Sequence, residues 1–301
     1  MKSRLPSLPT VQINLSDVRI AQERSVKECL VKLAKVKDRA SLVVAGGVVD
    51  IEAATGGQFG PELEPIYDDW LAFVDLARTV TDATGPLVEM DLGCPVSPRQ
   101  VFAIGVNYRS HSGVMVPEIP GTFTKFPTCL AGPYDDIPLV GGSNDWEVEL
   151  VAVIAHCAHH VDEVDAWSYV AGLAVGQDIS DRHLQFAAAD QWSLGKSRSG
   201  YGPVGPWVVT PDEISKPDDL AIGCSLDGET MQQARTSQLI FSVPRLIAEL
   251  SAVTRLLPGD IIFTGTPSGV GFVRQPPRYL QPGQTLESWI EGIGTLRNRC
   301  R

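Results

Sequence analysis

The sequence predicts an α+β protein that is mainly β. Short apolar runs rich in Val and Ile recur and are broken by Gly and Pro: Val101 to Val106, Glu147 to Ile154, Val170 to Val175, Val204 to Val209, Leu220 to Leu226 and Ile261 to Thr264. Segments with helical spacing are fewer, and Val243 to Thr254 is the clearest of them. The strand-like runs lie far apart in the chain and no internal repeat links them, so the sheet has to be assembled from distant segments.

Taken in order, residues 1 to about 15 carry Pro and Ser and read as an arm or a frayed end. Ser25 to Lys37 has helical spacing, with Val26, Leu30, Leu33 and Val36 on one stripe. Ala40 to Ile51 reads as two short strands around Gly46-Gly47, the second being Val48 to Ile51. Asp68 to Thr81 is an amphipathic helix with Trp70, Phe73, Val74 and Ala77 as its apolar side. Gly93-Cys94-Pro95-Val96-Ser97-Pro98 reads as a linker. It divides a small N-terminal domain, 1–93, from a larger one, 94–301. Asp227-Gly228 is a hairpin turn by its dipeptide.

The chain has 301 residues, 44% hydrophobic and 20% charged, enough for a sizeable core. A net charge of −11 argues against nucleic acid as a partner, because phosphate binding needs a basic face. A small anionic substrate stays open, since a metal and a few cations can reverse the potential inside one pocket. The six cysteines form no C-x-x-C pair, which fits reduced thiols in a cytoplasmic protein. Met1 to Leu30 lacks the apolar core of a signal peptide, and no stretch has the length of a membrane span.

The chemistry centres on Asp145-Trp146-Glu147-Val148-Glu149-Leu150, which runs on into Val151 to Ile154. In a strand, Glu147 and Glu149 share one face while Val148 and Leu150 share the other. Two carboxylates about 4 Å apart repel by roughly 4 kcal/mol at an effective dielectric near 20. Exposure, protonation of one Glu, or a cation between them would each relieve this. The apolar continuation argues for a buried strand and so for the cation. A third carboxylate, Asp178, follows the apolar run Tyr169 to Val175 and can turn to meet the pair. Three oxygen donors without Cys or His suit a hard cation: Mg²⁺ first, Mn²⁺ or Ca²⁺ next.

Other candidates flank this strand. Asn107-Tyr108-Arg109-Ser110-His111 leaves the end of an apolar strand, and His111 suits a general base or a surface cap. Lys196 could lie over the metal or be an ordinary solvated lysine. Arg182 and Gln185, three apart, would share a helix face near Asp178. Thr264 to Gly271 runs from a strand into a Gly-rich turn whose N–H groups and Thr266 hydroxyl could bind an oxyanion. His156, Cys157, His159 and His160 cluster after the acidic strand, but the spacing fits no standard zinc pairing.

Asn-Tyr-x-x-His, Asp-x-Glu-x-Glu-Leu, Asp-x-Ser-x-Arg, Lys-Ser and Thr-Gly-Thr-Pro-x-Gly-Val-Gly occur in that order between about residues 94 and 296. Together they resemble the fumarylacetoacetate hydrolase family. The resemblance implies a mixed β-sandwich or roll as the C-terminal domain behind a small N-terminal α/β domain. It also implies a homodimer and one Mg²⁺ or Mn²⁺ per site. Glu147, Glu149 and Asp178 match the metal ligands, His111 the catalytic base and Lys196 the lysine near the reacting carbon. Arg182, Gln185 and Thr266 match substrate-contacting positions, and Arg109 and Lys125 are further cations assigned to the substrate. The substrate implied is a 2-oxo or 1,3-dioxo acid, cleaved at a C–C bond by water that His111 activates.

One departure bears on that reaction. Hydrolytic members carry a Glu three residues after the His, where this chain has Val114. The segment from His111 to Glu118 is about three residues shorter, and the Glu is deleted with them. Decarboxylation and tautomerisation need no attacking water and tolerate this loss, so a decarboxylase, isomerase or hydratase is the alternative expectation. A metal-binding protein without catalysis is the third reading.

Overall fold

The computed structural model describes residues 31–110, 118–187 and 191–301. It opens with β1 (Lys32–Val36), β2 (Arg39–Val44) and β3 (Gly47–Asp50). Lys37 and Asp38 are both left-handed, at φ 49° and 62°, and close a two-residue hairpin between β1 and β2. The helix expected over Ser25 to Lys37 is therefore a strand where it is described, and residues 25–30 lie outside the described residues. Leu33 and Ala34 are both buried, so β1 is covered on both faces and shows no alternation to mark it as a strand.

β2 and β3 flank Gly46-Gly47 as expected. β3 stops at Asp50, one residue early, because the Asp50 carboxylate accepts from the Ala53 N–H (3.0 Å) and caps a helix at Ile51–Ala54. The helix expected from Asp68 spans Trp70–Ala77 and buries the four predicted residues, after a short helix at Glu64–Asp68.

The remaining strands are β4 (Leu92–Gly93), β5 (Val101–Gly105), β6 (Gly121–Thr124), β7 (Leu130–Ala131), β8 (Asn144–Asp145) and β9 (Val148–Ile154). After them come β10 (Val170–Gln177), β11 (Ser180–Asp181), β12 (Gly202–Val209), β13 (Ala221–Leu226), β14 (Glu229–Arg235), β15 (Ile261–Phe263), β16 (Thr285–Ile290) and β17 (Gly294–Arg299). Eleven strands form one sheet in the order β3-β2-β1-β12-β10-β9-β15-β5-β6, with β4 beside β1 and β7 beside β12. β1 pairs with β12 through Lys32↔Val209 and Leu33↔Val208, so strands from before and after residue 94 share that sheet. A second sheet runs β14-β13-β16-β17. Its β13–β14 turn uses left-handed Asp227 and Gly228, as the dipeptide predicts.

β9 separates two apolar layers by its period of two. Leu150, Ala152 and Ile154 pack toward Ile222 and Leu286 of the second sheet and toward Leu246 of the helix Val243–Val253. Val151 and Val153 pack with Ile66, Tyr67 and Phe73 of the N-terminal helices. Burial on both sides fixes the middle of β9 between the two apolar layers and leaves the residue before it, Glu147, at their edge. Among the described residues no helix is long and apolar enough to cross a membrane.

Candidate metal centre and active site

The pairing of β9 with β10 sets the geometry. Gly176 lies opposite Glu149 and Gln177 opposite Val148, so Asp178 follows directly alongside Glu147. The Asp178 N–H donates to the Glu147 carbonyl (2.9 Å), which fixes that register. The ladder opens where β9 begins, because side chains take over its N–H groups. Glu147 N–H donates to Gln177 Oε1 (2.9 Å) and Val148 N–H to Gln232 Oε1 (3.0 Å). The carboxylates of Glu147, Glu149 and Asp178 then converge, with ligand oxygens within 4.8 Å of one another. All three residues are buried.

Cations surround the cluster. Lys196 Nζ donates to Glu147 Oε2 (2.7 Å) and Asp178 Oδ2 (2.6 Å). Lys125 Nζ donates to Asp178 Oδ1 (2.7 Å) and the Tyr201 carbonyl (3.1 Å). Arg182 donates to Glu147 Oε1 (2.6 Å), to Asp145 Oδ2 through Nε and Nη2 (2.9 and 2.8 Å), and to Gln185 Oε1 (2.9 Å). Glu149 accepts from the Gly265 N–H (2.7 Å).

The donor set fits a divalent ion on charge as well as on chemistry. Four buried carboxylates, Asp145, Glu147, Glu149 and Asp178, meet three cations, Lys125, Arg182 and Lys196. One negative charge is left over. Burial, and then the nearby Asp178 and Glu147 carboxylates, push Glu149 well above the usual carboxylate range. Against the same cost of burial, the Lys196 ammonium and the Arg182 guanidinium hold Glu147 well below it. Glu149 is thus the ligand short of a positive partner, and a hard cation bound by the three carboxylates would supply it.

The structure gathers Arg182, Gln185, Lys196 and Lys125 at the carboxylates. Thr266 is close by, with its hydroxyl donating to the Val148 carbonyl (2.9 Å) and accepting from Gln232 Nε2 (2.8 Å). Arg109 is exposed and is not brought to the cluster. It lines a cleft of about 870 Å³ with Trp167, Ser242 and Arg245, whose lining includes none of the three carboxylates. Chemistry rather than volume therefore marks the site. His111 and Val114 lie outside the described residues. The His156–His160 cluster forms no metal group among the described residues, and Cys94, Cys129, Cys157, Cys224 and Cys300 are free thiols.

Three residues of the site were not singled out from the sequence. Asp145 stands two before Glu147, and the period of two in its own motif points to it. Gln177 and Gln232 carry no local signal; they matter because distant strands bring them to β9.

The family model for the C-terminal domain of fumarylacetoacetate hydrolase matches residues 100–301. The chain belongs to the fumarylacetoacetate hydrolase family. The mitochondrial oxaloacetate tautomerase Fahd2a of Rattus norvegicus is 38% identical over 269 residues, 85% of this chain and 84% of the relative. Two solved structures of the family superpose well. The fumarylacetoacetate hydrolase of Exiguobacterium antarcticum gives a TM-score of 0.79 at 28% identity, covering 90% of this chain and 98% of its own. The maleylpyruvate hydrolase of Sphingobium sp. SYK-6 gives 0.74 at 29% identity, covering 89% and 98%. The family's members are enzymes acting on small molecules, and the mainly β fold expected from the sequence is the family's fold.

Proposed function

We propose that this chain is a divalent-metal-dependent enzyme that interconverts the keto and enol forms of a 2-oxo acid, with an oxaloacetate-like diacid as substrate. The observation that carries this is the buried Glu147, Glu149 and Asp178 cluster with Lys196 Nζ set on two of its members. Glu147, Glu149 and Asp178 would hold Mg²⁺ or Mn²⁺. When bound, the ion supplies Lewis-acid stabilisation for negative charge that develops on a keto oxygen.

The chain's own groups do the rest. Tautomerisation removes a proton from the carbon next to the keto group, moves that electron pair to the keto oxygen, and returns a proton to either atom. Lys196, a buried ammonium within reach of the same space, stabilises the developing enolate and can move a proton. His111, by its place in the Asn-Tyr-x-x-His motif, is the general base. Arg182 and Gln185 orient the acid from the helix Arg182–Ala187. At Val114 this chain lacks the Glu that hydrolytic members carry three residues after the His to orient an attacking water. A relative that is named as an oxaloacetate tautomerase supports this reading.

C–C bond hydrolysis of an acylpyruvate is the second reading, favoured by the two hydrolases of similar fold. One assay set divides the two. With Mg²⁺ present, the chain should accelerate loss of the enol absorbance of oxaloacetate and release little product from acetylpyruvate. Faster cleavage of acetylpyruvate than tautomer exchange would reverse the assignment. Turnover of neither would reject both.

A further inference from the structure

Asp145 is fully buried and accepts from more groups than any metal ligand beside it. Its Oδ1 takes the N–H groups of Trp146 (2.9 Å) and Gly271 (2.7 Å). Its Oδ2 takes Arg182 Nε (2.9 Å), Arg182 Nη2 (2.8 Å) and the Phe272 N–H (3.0 Å). The Phe272 ring in turn lies 4.3 Å from the Arg182 guanidinium. One carboxylate thus fixes both the guanidinium and the ring stacked on it. The approach of the loop requires glycine at 271. A Cβ there would sit 1.9 Å from the Arg278 carbonyl oxygen and 2.7 Å from Asp145 Oδ1.

Arg182 has five N–H groups, and four of them are engaged by Asp145, Glu147 and Gln185. One N–H remains to meet the substrate acid. Its strongest contact with the site is the 2.6 Å bond to Glu147 Oε1, while Lys196 takes Glu147 Oε2. The two donors differ in kind. Lys196 is a point charge on a rotatable stem and can yield its place, whereas Arg182 is a planar fork held on two edges.

We infer that Asp145 is a positioning residue that acts through Arg182 on Glu147, holding that carboxylate in the orientation that receives the metal. The inference rests on the metal site proposed above and adds to it a residue that touches neither metal nor substrate. Partners of this kind change metal affinity by about 10- to 100-fold when removed.

The test is Mn²⁺ affinity, read by the loss of the free-ion paramagnetic resonance signal, in wild type, Asp145→Asn, Arg182→Gln and the double variant, with thermal midpoints recorded. Asp145→Asn and Arg182→Gln should each weaken Mn²⁺ by about 10- to 100-fold. The double variant should match Arg182→Gln within about two-fold, because Asp145 has no route to Glu147 once the guanidinium is gone. Asp145→Asn binding Mn²⁺ like wild type, or a double variant whose loss is the product of the two single losses, overturns the inference. If Asp145→Asn does not fold, Arg182→Lys decides. Its ammonium keeps the charge but cannot span Asp145 and Glu147, so affinity should fall as far, and wild-type affinity there overturns the inference as well. Wild type that binds no Mn²⁺ removes the metal site itself, an outcome distinct from all of these.

Discussion

Glu147 and Glu149 sit two residues apart on one strand face, yet their proton affinities are driven in opposite directions. Glu149 is raised by its burial and then by the other carboxylates, whereas against the same burial Glu147 has Lys196 and Arg182 to lower it. The sign of each pH effect follows. A carboxylate held below its unfolded value contributes stability above that value and loses it as pH falls through the folded one, which is the case of Glu147. Glu149 is raised, so its contribution is complete at low pH and is lost as pH rises through its folded value. In metal-free protein Glu149 therefore keeps a proton well above the usual carboxylate range, and a divalent ion has to displace it. Calorimetry in buffers of different ionisation enthalpy should show proton release on Mg²⁺ binding, and affinity should fall as pH falls. Binding with no proton exchange at any pH would count against this account of Glu149. At the same scale, Lys196→Met should lower tautomerase turnover by about 10²- to 10⁴-fold, the usual worth of a proton-handling group. Loss of under about two-fold would place Lys196 outside the chemistry.

Short elements carry these residues, and close packing sets their reach. The helix Ser193–Lys196 lies against Arg182–Ala187 so tightly that a Cβ on Gly195 would meet the Gln185 backbone at 2.5 Å. Phe123 on β6 stands 5.2 Å from Lys196 Nζ and closes the other side. Gly195→Ala should therefore cost about 1–3 kcal/mol of stability through overpacking and draw Lys196 off the carboxylates. Thermal melts and turnover check this together, and a fully stable, fully active variant would contradict it. Gln232→Leu should cost about 1–3 kcal/mol, since it strands the Val148 N–H and the Pro267 carbonyl that Gln232 serves. Elements of this kind show why part of the site was legible and part was not. Alternation brought Glu147 and Glu149 together because that pattern is local to the start of β9, which Glu147 immediately precedes. Burial of Lys125 and Lys196 was not readable, because a buried ammonium is tolerable only beside carboxylates that the fold brings from elsewhere. The β1 strand was misread as helix because burial on both faces erased its alternation.

On the scale of the molecule, the main sheet acts as a rigid floor whose strand ends meet at one place. The Gly265 N–H that holds Glu149 follows β15, Asp178 follows β10, and Glu147 precedes β9, so the three come from neighbouring strands of the sheet, of which β15 is distant in the chain from the other two. The recurrent strand-like runs made that mainly β architecture legible, and the ordered motifs made the family legible; the order of the strands was not, since it depends on contacts across the whole chain. A site held this way should be coupled to global stability. Mg²⁺ at about 100 times its dissociation constant should stabilise the fold by about 2.7 kcal/mol. The gain in thermal midpoint should be larger at about pH 8 than at about pH 5, where a proton competes with the metal for Glu149.

The most direct measurement is a Mn²⁺ titration of wild type and of Glu149→Gln, followed by paramagnetic resonance. Wild type should bind one Mn²⁺ per chain, and Glu149→Gln, which removes the carboxylate ligand while keeping the shape, should lose that binding by at least about 10-fold. Wild type that leaves Mn²⁺ free in solution, or a variant that binds it equally well, would contradict the claim that these three carboxylates form a metal centre.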